Sequence, residues 1–68
     1  MTTVQVTDQY GGSITALKEI VTGLIYVEID NVKDGYKDNF YLDQKDPESL
    51  KWLKSVFQPI HLEILLGE

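Results

Sequence analysis

His61 and Glu63, two residues apart, are the one pairing in this chain that could relay a proton. An imidazole titrates near neutral pH, and a neighbouring carboxylate can orient it as a general base. No serine or cysteine stands at a useful spacing to be activated, so the pair reads as a surface histidine beside an acid and no catalytic residue is expected. Asp30-Asn31-Val32-Lys33-Asp34-Gly35 invites comparison with a calcium loop, which needs acids at positions 1, 3 and 5 and a glutamate at 12. Val32 and Tyr41 occupy positions 3 and 12, so the segment reads as a tight turn built on Asp34-Gly35. Gly11-Gly12-Ser13 has the outline of a phosphate-cradling turn ahead of a helix, but no cation lies within it and Asp8 lies just upstream. It reads as a loop and cap. No metal and no cofactor is expected.

Charge narrows the partners further. The 68 residues hold eleven Asp and Glu against six Lys, with no arginine, for a formal net charge of -5. Arginine supplies the planar fork used at most phosphate and nucleic-acid sites. Affinity for nucleic acid comes from neutralising phosphates, so direct binding of DNA or RNA is not expected. A basic protein surface is the partner that such a field attracts. There is no cysteine, which removes disulfides and thiolate metal sites. The opening MTTVQVTD lacks the basic and apolar regions of a signal peptide, and no apolar run reaches the roughly 20 residues of a membrane span. Cytoplasmic residence is the resulting expectation.

The elements that must position these groups follow from periodicity. Thr3 to Asp8 alternates as a strand with Val4 and Val6 on one face. Ser13 then suits an N-cap, and Ile14, Leu17, Ile20 and Val21 fall at helical spacing up to Gly23, so a helix is predicted from Ile14 to Thr22. A strand is the competing reading, since Ile20 and Val21 are β-branched. Leu24 to Asp30 and YKDNFYLD form a hairpin, with Ile25, Val27, Ile29, Phe40 and Leu42 on the apolar side. Asp46-Pro47-Glu48 starts a second helix with an apolar stripe of Leu50, Leu53, Val56 and Phe57, which Pro59 ends. Ile60 to Leu66 alternates as a last strand.

Residues 1–68 are therefore expected to form one α+β domain of order β-α-β-β-α-β. That is the ferredoxin-like split βαβ plan, a four-stranded antiparallel sheet with two helices on one face. The alternative is a small, mostly β roll with one helix. A chain this short buries only about 60% of its unfolded surface and has no staples, so close packing or self-association must supply the rest.

On this plan the sheet face turned away from the helices shows Leu24, Tyr26, Tyr41 and Leu65 among Glu28, Asp30, Asp43, His61 and Glu63. Aromatics on that face stack bases in RNA-binding domains of this topology, but carboxylates around them oppose that use. Tyrosines and aliphatics rimmed by acids suit a protein partner with a basic surface, or a second copy. The apolar last strand, lying at a sheet edge, suits strand-to-strand pairing. The leading expectation is a non-enzymatic inhibitor or adaptor, of the kind common among small acidic phage and mobile-element proteins. The alternative is a structural or regulatory homodimer or larger homo-oligomer.

Overall fold

Four short segments rich in β-branched and aromatic residues precede two proline-started segments, and this division fixes the architecture. The computed structural model describes residues 3–7 and 11–67. Strands β1 (Thr3–Thr7), β2 (Ser13–Lys18), β3 (Ile25–Asn31) and β4 (Tyr36–Leu42) are followed by helices α1 (Pro47–Val56) and α2 (Pro59–Leu66). The strands form one antiparallel sheet in the order β1-β2-β3-β4, each paired with its neighbours in sequence. The domain is α+β with a four-stranded sheet and two helices, but both helices come after all the strands. The order is thus β-β-β-β-α-α, which corrects both the split βαβ order and the one-helix alternative.

Two elements account for the difference. Residues 13–18 extend as β2 because Ile14 and Ala16 alternate with Ser13 and Thr15, a period of two that buries Ala16 against the core. Ile20 and Val21, counted toward a helical stripe, stand instead on the β2–β3 connection. Gly23 does adopt the left-handed conformation, with φ of 73°, but there it closes a hairpin loop. Residues 59–66 are helical because Pro59 sits in the first turn of α2, where its missing N–H costs nothing. Gly67 ends α2 with φ of 74°, its N–H donating to the Glu63 carbonyl at 3.0 Å. The edge-pairing route through Ile60 to Leu66 falls with the strand that carried it.

Other expectations hold. The β3–β4 hairpin turns at residues 32–35, where the Asp34 N–H donates to Asn31 Oδ1 at 3.3 Å and the Gly35 N–H to the Val32 carbonyl at 3.3 Å. Asp46 caps α1: its carboxylate accepts from the Glu48 N–H at 3.4 Å and from the Ser49 hydroxyl at 2.9 Å. Asp8 and Tyr10 lie outside the described residues.

Cross-strand register sorts the side chains into two faces. Val4, Ala16, Val27 and Phe40 lie in one row, with Ile25 and Leu42 in the next. Leu53 of α1, Phe57 at its C-cap, and Leu65 and Leu66 of α2 close over them to form the buried core. Phe40, Trp52 and Phe57 add edge-to-face ring contacts at centroid separations of 5.4 and 6.5 Å. Roughly 25 cal/mol for each Å² of apolar surface buried makes this inner face the source of stability.

A tyrosine-bearing outer face with a groove at one end

Opposite parity places a second set of rows on the face that the helices leave open. Thr3, Leu17, Tyr26 and Tyr41 align across all four strands, followed by Gln5, Thr15, Glu28 and Asn39, then Thr7, Ser13, Asp30 and Lys37. Tyr26 and Tyr41 are direct cross-strand partners, their ring centroids 5.2 Å apart and tilted by 57°. Gln5 Nε2 donates to Thr15 Oγ1 at 2.9 Å. Asp30 keeps its Oδ1 buried without a hydrogen-bond partner.

The β2–β3 connection shapes one end of this face. The Glu19 N–H donates to the Leu24 carbonyl and the Gly23 N–H to the Glu19 carbonyl, both at 2.8 Å. Thr22 Oγ1 accepts from the Leu24 N–H at 3.1 Å and donates to Glu19 Oε2 at 3.4 Å. The loop so tied holds Ile20 and Val21 out into solvent, 87% and 97% exposed. Together with Leu17, Glu19, Tyr26 and Tyr41 they line an open groove of about 500 Å³. Glu19 is the one charged residue of that lining, and its carboxylate stands near the Tyr41 hydroxyl. Hydrogen bonding of the neutral phenol toward Glu19, and the repulsion a phenolate would meet there, raise the Tyr41 pKa above its ordinary 10.0.

Four of the nine residues expected on this face share it: Tyr26, Glu28, Asp30 and Tyr41. Leu24 and Asp43 sit beyond the strand ends, in a separate depression lined also by Lys18, Thr22, Gly23, Gln44 and Lys45. Asp43 shapes the chain there, its Oδ1 accepting from the Lys45 N–H at 2.9 Å. His61, Glu63 and Leu65 belong to α2, on the other side of the sheet. Leu65 is a core residue, 1% exposed. His61 and Glu63 would share a strand face, but two positions apart on a helix they diverge, so they are not the adjacent surface pair that the sequence suggested. The His61 ring lies edge-on to Phe57 at 6.2 Å, and its Nδ1 is buried without a partner.

Leu17, Glu19, Ile20 and Val21 are the site residues that sequence reasoning missed. The signal was present in the alternation of Ser13-Ile14-Thr15-Ala16, which carries Leu17 to the side of Tyr26. Among the described residues no group of three His, Asp or Glu side chains could hold a metal ion, and no helix is long and apolar enough to cross a membrane. No family model, curated protein or solved structure matches the chain.

Proposed function

We propose that this chain is a non-enzymatic protein-binding module that uses the outer face of its sheet to dock on a basic surface of a larger cytoplasmic protein, as an inhibitor or adaptor. The observation that carries this reading is the Leu17–Tyr26–Tyr41 row, with Tyr41 exposed and Leu17 and Tyr26 half-buried, set beside Glu28 and Asp30. Tyrosines flanked by aliphatics are typical anchors of protein interfaces, and acids at the rim steer a cationic partner. The net charge of -5 adds to that steering.

The test compares retention of partner proteins from source-cell lysate by the immobilised chain and by its Tyr26→Ala and Glu28→Lys variants. Loss of an anchoring tyrosine is expected to weaken capture by about thirtyfold, equivalent to ~2 kcal/mol. The Glu28→Lys variant should bind more weakly and with a reduced salt sensitivity. Equal retention by all three proteins would overturn the proposal.

A second reading, homo-oligomerisation, is favoured by α2. Ile60 and Ile64 lie one turn apart on it and remain exposed, an apolar pair that a second copy would cover. Sedimentation across a range of concentrations tests this reading: a monomer at every concentration would remove it.

A further inference from the structure

The groove at the β2–β3 end differs in composition from the rest of the outer face. Its walls are aliphatic (Leu17, Ile20, Val21) and aromatic (Tyr26, Tyr41), and its single charge is the Glu19 carboxylate. The Thr22 hydroxyl donates to that carboxylate at 3.4 Å, and the Tyr41 hydroxyl stands near enough for Glu19 to raise its pKa. A carboxylate has about four acceptor positions, so capacity for further donors remains. The one lysine next to it in sequence, Lys18, has the opposite strand parity and lines the other depression. The groove therefore offers an open apolar surface with one carboxylate, Glu19, beside the tilted rings of Tyr26 and Tyr41.

We propose that this groove is a subsite for a single arginine side chain of the docking partner. Its alkyl stem lies along Leu17, Ile20 and Val21, and its guanidinium meets Glu19 and the ring of Tyr26 or Tyr41. Charge and shape agree on this occupant. The stem buries against the aliphatic wall while the head keeps its charge satisfied, as long cationic side chains do. A guanidinium stacks on aromatic faces and forks to carboxylates, which an ammonium does less well. A second copy of this chain is opposed by charge, because an isologous contact here would bring two Glu19 carboxylates together. The subsite deepens the proposed function and rests on its premise of a basic partner.

The test is a titration of the isotopically labelled full chain with Nα-acetylarginine amide, followed by amide NMR shifts, with the neutral isostere Nα-acetylcitrulline amide in parallel. Arginine amide is expected to shift Leu17, Glu19, Ile20, Val21, Tyr26 and Tyr41 together, with citrulline amide giving no saturable shift. Glu19→Gln and Tyr26→Leu should each weaken the arginine response by roughly fivefold, and lysine amide should bind more weakly than arginine amide. Equal responses to arginine and citrulline amides, or shifts spread over all acidic residues, would overturn the subsite. So would concentration-dependent shifts of the groove amides without ligand, which mean that a second copy fills it. If Tyr26→Ala abolishes partner capture while arginine amide leaves the groove unshifted, the subsite alone falls. If arginine amide fills the groove but no partner is retained, the docking proposal alone falls.

Discussion

The two faces of this sheet are made by the same four strands and differ in almost everything else. On the inner face Val4, Ala16, Ile25 and Val27 are sealed beneath Leu53, Phe57, Leu65 and Leu66. On the outer face Leu17, Tyr26 and Tyr41 form an apolar row that neither helix covers. Strand parity alone decides which residues serve which face. The lesson is a division of labour: one face supplies the folding energy, leaving the other free to carry side chains that a foldable core would not need.

Substitutions sharpen that division in order of size. Leu53→Ala, at a fully buried position, should lower unfolding stability by about 2–5 kcal/mol in denaturant titrations. A loss under half a kilocalorie there would mean the helices are not the cover they are taken to be. Asp46→Ala removes the cap that seats α1, with an expected cost of about 1 kcal/mol in the same assay. The double variant Ile20→Ser, Val21→Ser should leave stability within about 0.5 kcal/mol of the parent, since both side chains are in water already. That same variant should lose the arginine-amide response, which separates recognition from folding.

The smallest effect concerns Tyr41. Its pKa is raised in the folded chain by the Glu19 carboxylate, which accepts from the neutral phenol and repels the phenolate. The folded state thus holds this proton more tightly than the unfolded state. The resulting stability is present below the pKa of an ordinary tyrosine and is lost as pH rises through the higher folded value. Following phenolate absorbance, Glu19→Gln should bring Tyr41 back toward 10.0. No change would place the cause elsewhere.

Much of the inner face was legible because its signals are local. Asp46-Pro47-Glu48 names a helix start in three residues, and Asp34-Gly35 between alternating segments names a hairpin. The errors fell where periodicity is ambiguous. Ile14, Leu17, Ile20 and Val21 fit a helical stripe as well as Ile14 and Ala16 fit a strand, and tertiary pairing with β1 and β3 decided between them. In Ile60 to Leu66 the polar His61 and Glu63 alternate with apolar neighbours, so the segment imitates a strand's period of two although it is a helix. Tyr26, Glu28, Asp30 and Tyr41 were readable as one surface because β3 and β4 were read correctly. The groove was not, because it depends on β2 and on the loop that follows it.

A meander followed by its cover has a consequence for the order of folding. Each strand pairs with its neighbour in sequence, so β1 to β4 can form through short-range contacts before residues 47–66 dock on them. Until that docking, Ile25 and Val27 face water on the side that α1 and α2 cover. Truncations that end upstream of α1 should therefore accumulate as aggregates.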